Sequence, residues 1–121
     1  MLTADIRDAF SAGRDILLGL GGTTTLAAAE AAVDAMKTEA TALVAETDLS
    51  TFLADARYAE EVFGPASLLV ALASVDELSK AAATLEGQLT ATLHGTPEDL
   101  AAAADLVGVL AAVYICRLLF L

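Results

Sequence analysis

Hydrophobic and small residues follow a helical spacing over the first twenty positions. They are three or four residues apart, as on one face of a helix: Ile6, Ala9, Phe10, Gly13, Leu17 and Leu20. This stripe predicts a helix over Thr3 to Leu20. Thr3 can cap its start, and Gly21-Gly22 is a strong signal for its end.

The pattern is ambiguous after the two glycines. By residue type Thr23 to Leu26 favours a strand. A helical spacing nevertheless continues through the alanine-rich run that follows, at Leu26, Ala29, Val33 and Met36. From this spacing we predict a helix over Ala27 to Lys37.

The middle of the chain alternates short apolar segments with polar boundaries. Ala40 to Glu46 has the composition of a strand, and a short helix is expected over Leu49 to Ala54. Asp48 or Ser50 can begin that helix. Further along, Gly64-Pro65 marks a turn.

A continuous apolar run, Ser67 to Ala73, has the length of a strand buried on both faces. Ser74 and Glu77 have the spacing of a capping box, which predicts a helix to about Glu86 that is closed by Gly87.

The last third of the chain predicts a strand, a helix and a strand. Leu89 to His94 alternates apolar and polar residues, as a strand does. Thr96-Pro97-Glu98-Asp99 combines a cap, a first-turn proline and acidic residues, so it predicts a helix to about Ala112. Val113 to Leu121 is apolar enough for a final strand.

Strands and helices thus alternate over Ser67 to Leu121, as in two consecutive βαβ crossovers. Such units build parallel sheets with helices on their faces. The expected fold class is α/β, with a small parallel or mostly parallel sheet and flanking helices. No linker or internal repeat divides the chain, so residues 1–121 are expected to form a single domain.

Charge and composition exclude several functions. Seventeen acidic residues against six basic ones give a net charge of −11, which opposes binding to nucleic acid and to anionic membranes. The hydrophobic fraction of 57% includes many alanines, and the longest uncharged runs, Ile16 to Ala29 and Val62 to Val75, are too short to span a bilayer. Charged residues stand where a secretory signal would need its apolar segment. We therefore expect a cytoplasmic protein.

Few residues offer chemistry of their own. Cys116 is the sole cysteine and lies in an apolar run, which is more typical of a buried structural cysteine than of a nucleophile. His94 is the sole histidine, placed at a strand end, where a plain loop residue is the simpler interpretation. No metal-ligand spacing is present. The residues by themselves predict neither a catalytic group nor a metal site.

One motif points to a family. Glu60-Glu61-Val62-Phe63-Gly64-Pro65-Ala66 resembles the E-E-[VI]-F-G-P signature of the aldehyde dehydrogenase superfamily. Residues 2–10, 47–55, 85–95 and 117–120 are similar to other segments of that family, in the expected order. The similarity is greatest to the branch that oxidises α-ketoglutarate semialdehyde and related aldehydes.

The resemblance implies a truncated part of an aldehyde dehydrogenase catalytic domain. Full-length members are several times longer, and their dinucleotide-binding domain, catalytic cysteine and general-base glutamate would precede residue 1 here. Cys116 does not match the nucleophile's motif. Glu61 matches the family glutamate that binds the nicotinamide ribose, and Phe63 matches a residue that packs near the nicotinamide. Both could instead merely shape a turn.

Two classes of function follow as expectations. The first is a fragment of an enzyme that oxidises an aldehyde or semialdehyde to the acid with NAD or NADP, inactive and without bound cofactor when alone. The second is a non-enzymatic α/β module for self-association or partner binding, because surfaces meant to be covered tend to pair. We expect a homo-oligomer, or a chain completed in trans by the rest of the enzyme.

Overall fold

The computed structural model describes residues 3–28, 34, 37–85, 90–113 and 117–120. The chain divides into two compact units, Met1–Ala71 and Leu72–Leu121. The predicted α/β class is confirmed, with helices beside a small, partly parallel sheet. None of the helices in the described ranges is long and apolar enough to cross a membrane.

The described residues of the first unit form two α-helices, a 3₁₀ helix and three strands. In chain order they are α1 (Ala4–Gly19), β1 (Thr24–Ala28), β2 (Leu43–Asp48), α2 (Leu49–Ala54), the 3₁₀ helix Ala56–Ala59 and β3 (Ala66–Ala71). The strand order is β1-β2-β3, with β1 antiparallel and β3 parallel to β2. The inward face of β2 is buried at Leu43, Ala45 and Thr47.

Helix α1 confirms the first prediction. The Thr3 side chain accepts a hydrogen bond from the Ile6 N–H at 3.3 Å and caps the helix. Phe10 and Leu17 of the stripe are buried. The turn after the helix needs its two glycines, because Gly21 and Gly22 have φ angles of 79° and 71°.

Two buried side chains hold that glycine turn. The Tyr58 hydroxyl donates to the Gly21 carbonyl, and the Thr47 hydroxyl donates to the Gly22 carbonyl at 2.9 Å. Both donors are satisfied by these bonds, as buried polar groups require. The turn that leads from α1 into β1 is therefore fixed by residues from β2 and the 3₁₀ helix.

The helix predicted from Ala27 is wrong at its start. Ala27 and Ala28 lie in β1, opposite Val44 and Leu43 of β2. Pairing with a neighbouring strand overrides the helical preference of alanine there. Beyond them, Lys37 N–H donates to the Asp34 carbonyl at 3.0 Å in a tight turn. The rest of this prediction, residues 29–33 and 35–36, lies outside the described residues.

Helix α2 has the predicted bounds, and Asp48 is its cap. Asp48 accepts hydrogen bonds from the Ser50 hydroxyl and from the Thr51 N–H and hydroxyl. These bonds lower the pKa of Asp48 to about 2, the Ser50 hydroxyl having the largest effect. The pKa of Asp55 is likewise lowered to about 2, chiefly by the Arg57 side chain, which pairs with it.

These two aspartates predict a loss of stability in acid. Because their folded pKa is about 2 against an ordinary 3.8, the folded state binds protons less readily than the unfolded state. Their contribution is complete above pH 4 and disappears as the pH falls towards 2. Urea unfolding of the first unit between pH 5 and 2 should show this decline.

Asp48→Asn provides the control for that experiment, because asparagine caps helices as well as aspartate but does not titrate. The variant should unfold with a weaker dependence on pH over the same range. An unchanged pH profile in Asp48→Asn combined with Asp55→Asn would contradict the assignment of the acid sensitivity to these two carboxylates.

Strand β3 corrects another expectation. It was predicted to be buried on both faces, yet exposure alternates along it, with Ser67, Leu69 and Ala71 on the exposed face. Leu69 is 49% exposed. An apolar run predicts burial only if both faces are covered, and β3 lies at the edge of its sheet with one face open.

In the part of the second unit that the structure describes, there are three helices and two strands. They are α3 (Val75–Ala82), β4 (Thr90–Leu93), α4 (Pro97–Ala102), α5 (Ala104–Val113) and β5 (Arg117–Phe120). Strands β4 and β5 pair in parallel. The buried core consists of Ala82, Ala103, Leu106 and Leu110, with Ala91, Leu93 and Val109 packed against it.

Helix α3 begins as predicted but ends early. Ser74 accepts from the Glu77 N–H at 3.2 Å, whereas the Glu77 carboxylate accepts from Ala73 rather than from Ser74. The helix stops at Ala82 instead of about Glu86. The Thr84 hydroxyl donates to the Ala81 carbonyl at 2.8 Å, a side-chain bond that competes with further helix.

The helix predicted from Thr96 to about Ala112 is two helices. Its start is confirmed, since Thr96 and Asp99 form a capping box with Pro97 in the first turn. The backbone breaks at Ala103, whose side chain is buried in the core, and α5 then continues to Val113. Tertiary packing overrides local alanine propensity here too.

Of the two predicted crossovers, the second is confirmed, because β4 and β5 pair in parallel, whereas the first is wrong, because β3 does not pair with β4. Strand β3 pairs with β2, and β4 pairs with β5 in a separate sheet. The parallel crossover between β2 and β3, through α2 and the 3₁₀ helix, was not predicted. Which strands pair depends on contacts between distant segments, and the alternation of elements does not specify it.

Candidate functional site

The segment Glu60 to Pro65 forms the loop that carries the two predicted site residues. It begins at Glu60, which ends the 3₁₀ helix. It ends in a tight turn, where the Ala66 N–H donates to the Gly64 carbonyl at 2.8 Å. The Pro65 carbonyl accepts from the Leu43 N–H at 2.9 Å. The loop is thereby attached to the starts of β2 and β3.

The loop is exposed except at Val62. Glu61 and Phe63 are exposed, and Val62 between them is half-buried. The Phe63 ring is unusually open for a phenylalanine, at 72% exposure. A large exposed aromatic side chain beside a carboxylate is a feature of binding surfaces more than of structural turns.

Glu61 and Phe63 line a cleft beside α1. The cleft has a volume of about 200 Å³ and is lined by Ile6, Ala9, Phe10, Gly13, Glu61, Val62 and Phe63. One wall is the helix stripe, and the other is the loop. The structure therefore brings the two predicted site residues together on one cleft.

Two close contacts set the distance between helix and loop. Gly64 has a φ of 155°, and a Cβ there would overlap the ring of buried Phe10, approaching its Cγ to 2.9 Å. A Cβ on Gly13 would lie 3.3 Å from the Val62 Cγ1. The loop thus rests directly on α1 at two points.

The chemistry of this cleft suits binding. Glu61 is the one ionisable residue that lines it, and its carboxylate can accept hydrogen bonds from two hydroxyl groups. The Phe63 ring can pack against a flat, partly apolar ligand. The residues that line the cleft include no second ionisable group to form an acid–base pair with Glu61.

The sequence singled out two further residues, His94 and Cys116. His94 is exposed after β4 in the second unit, and Cys116 lies outside the described residues. Within residues 3–28, 34, 37–85 and 90–113, no group of three or more metal-ligating side chains occurs.

Sequence reasoning missed Phe10 and Gly13 as parts of this site. Periodicity predicts that both lie on the inner face of α1 but does not indicate which segment covers them. The available signal was a glycine within an otherwise apolar stripe, since a missing side chain at such a position permits close approach of another segment.

Comparison with known proteins now identifies the family. No family profile matches the chain. A curated relative does match. The chain is homologous to an aldehyde dehydrogenase and corresponds to a fragment of such a protein. The relative is α-ketoglutaric semialdehyde dehydrogenase 2 of Azospirillum brasilense, 41% identical over 110 residues, or 91% of this chain. The chain spans about a fifth, 21%, of that relative's length. The predicted resemblance is confirmed.

Proposed function

We propose that the chain supplies the nicotinamide-facing loop of an NAD(P)-dependent aldehyde dehydrogenase. The observation on which this proposal rests is that Glu61 and Phe63 line one cleft in a chain 41% identical to an α-ketoglutaric semialdehyde dehydrogenase. In this proposal, Glu61 accepts hydrogen bonds from the nicotinamide ribose, and Phe63 packs near the nicotinamide ring and excludes water from it. The cofactor, when bound, supplies the hydride acceptor.

The charge of the chain supports the proposal that this segment binds only the nicotinamide end of the cofactor. A net charge of −11 repels the anionic pyrophosphate of NAD or NADP. The cleft lining contains no cation to offset that repulsion. The phosphates are therefore proposed to bind to another part of the enzyme, so this chain alone neither holds the cofactor nor oxidises an aldehyde.

The first test is an activity assay of the isolated chain. With α-ketoglutaric semialdehyde and NAD⁺ or NADP⁺, we expect no reduced cofactor by absorbance above the no-protein rate. The Azospirillum relative, assayed in parallel, is the positive control. Turnover that copurifies with the 121-residue chain and disappears on its removal would overturn the proposal of inactivity.

A hybrid enzyme tests the proposed role of the loop. The matching segment of the Azospirillum relative is replaced by this chain, and the hybrid is expected to be active. Glu61→Gln in the hybrid should raise the KM for the cofactor about tenfold, because it weakens a charge-assisted hydrogen bond worth about 1.5 kcal/mol.

Glu60→Gln is the matched control for that prediction. It makes the same chemical change at the neighbouring exposed carboxylate, which does not line the cleft. The KM of this variant should be unchanged. Equal effects of the two substitutions would contradict a specific role for Glu61.

Self-association is the second candidate function, and strand β1 favours it. All five of its residues are exposed, it lies at the edge of the three-stranded sheet, and none of them is charged. Such an edge can pair with another chain. We propose a homo-oligomer formed through this edge, and the proposal is independent of any completion of the enzyme in trans.

Light scattering at micromolar concentration tests the oligomer. Leu26, 50% exposed on β1, is replaced by lysine, which should shift the mass to that of a monomer. Leu53→Lys makes the same change at a 42% exposed leucine on α2 and should leave the mass unchanged. A monomeric mass for the unsubstituted chain would overturn this candidate.

A further inference from the structure

We infer that the face of α1 formed by Phe10 and Gly13 is a positioning platform that sets where Glu61 and Phe63 stand. The functional part of this inference rests on the proposed role of those two residues in cofactor binding. Neither Phe10 nor Gly13 would touch the cofactor through a polar group. Both would act through the loop that they support.

Phe10 supports the loop at its end. Its side chain is only 1% exposed, so the ring cannot move aside without opening the core. The backbone of Gly64 lies against that ring so closely that a methyl group would not fit between them. Gly64 follows Phe63 directly, and the position of the ring therefore limits where the backbone of Phe63 can lie.

Gly13 supports the loop at its centre. It lies three residues after Phe10, on the same face of α1. Its missing side chain leaves room for the Val62 methyl groups, the nearest of which would be 3.3 Å from an added Cβ. Val62 is half-buried between the exposed Glu61 and Phe63. A displacement of Val62 must therefore shift the residue on each side of it.

This arrangement separates positioning from stability. Alanine is the better helix former, so Gly13→Ala favours α1 while it pushes Val62 outwards by a few tenths of an ångström. Gly19→Ala is the matched control, since it makes the same change in α1 where no atom lies within 4 Å of the added Cβ. If Gly13 served only the stability of α1, the two variants would have the same effect on the loop.

The experiment compares amide chemical shifts in the ¹H–¹⁵N spectra of the full 121-residue chain. Gly13→Ala should shift the Glu61, Val62 and Phe63 amides well beyond the linewidth, and Gly19→Ala should leave them in place. On a Val62→Ala background the effect of Gly13→Ala should disappear, because the methyl groups that it meets are gone. Unshifted loop amides in Gly13→Ala, or a shift that persists without the Val62 methyls, would overturn the inference.

The same two variants in the hybrid enzyme test the functional part. Gly13→Ala should raise the KM for NAD(P)⁺ a few-fold with little change in kcat, since a shift of a few tenths of an ångström is well below the ~1 Å misplacement that can cost about 100-fold. Gly19→Ala should change neither constant. An inactive unsubstituted hybrid would overturn the proposed function, while the spectra of the isolated chain would still decide whether α1 positions the loop.

Discussion

Replacing Phe10 by alanine is expected to lower the free energy of unfolding of the first unit by about 3 to 5 kcal/mol. Phe10 is 1% exposed and is one of the two largest fully buried side chains in the described part of the chain. Its removal loses apolar burial and leaves a cavity beneath the loop, because the backbone of Gly64 cannot fill a space the size of a ring.

Urea unfolding followed by circular dichroism measures this loss, with residue-resolved amide signals to assign it to the first unit. Phe63→Ala is the control, since it deletes the same ring at a position that is 72% exposed. That variant should change the free energy of unfolding by no more than about 0.5 kcal/mol. Similar losses for the two variants would show that Phe10 is not the core residue that its burial indicates.

Replacing Gly64 by alanine is expected to cost about 3 kcal/mol, the second-largest effect. Two causes act together. The φ of 155° at Gly64 is disfavoured for any residue with a side chain, and the added methyl group overlaps the Phe10 ring. Gly19→Ala, which meets nothing and lies in a helix, should be neutral or slightly stabilising in the same urea experiment.

The double variant separates these two causes. In Phe10→Ala combined with Gly64→Ala, the ring that the methyl group overlaps is absent. Gly64→Ala then adds only the cost of its backbone conformation to the loss caused by Phe10→Ala. The loss of unfolding free energy in the double variant should be smaller than the sum of the two single losses by at least about 1 kcal/mol. Strict additivity would mean that the loop does not rest on the Phe10 ring. The contact between Gly64 and Phe10 would then not help α1 to position the loop.

The residues whose substitution is expected to lower stability also support the loop that lines the cleft. Phe10 and Gly64 are a structural pair, whereas Glu61 and Phe63, on the same loop, are proposed to face the cofactor. Val62, between the exposed Glu61 and Phe63, is half-buried and lies against Gly13 of α1. A rigid support beneath an exposed pair is what a binding site needs, since ordering the pair upon binding would otherwise cost affinity.

The candidate site could be predicted in part. The motif around Glu61 and Phe63 indicates these two residues as site candidates, and in the structure both line one cleft. The wall opposite them could not be predicted, because α1 and the loop are about fifty residues apart in the chain. A periodic stripe shows that Phe10 faces inwards but not that Gly64 is its neighbour.

The sequence by itself determined the features that depend on near neighbours along the chain. The caps at Thr3 and Thr96 and the glycine signal that ends α1 involve residues within four positions of each other, so local patterns specify them. The tertiary structure alone decided that Ala27 and Ala28 are in a strand, that β3 and β4 belong to different sheets, and that Phe10 supports the loop. Each of these depends on a partner distant in the chain, and the free energy of that contact exceeds the small local preferences that a sequence pattern records.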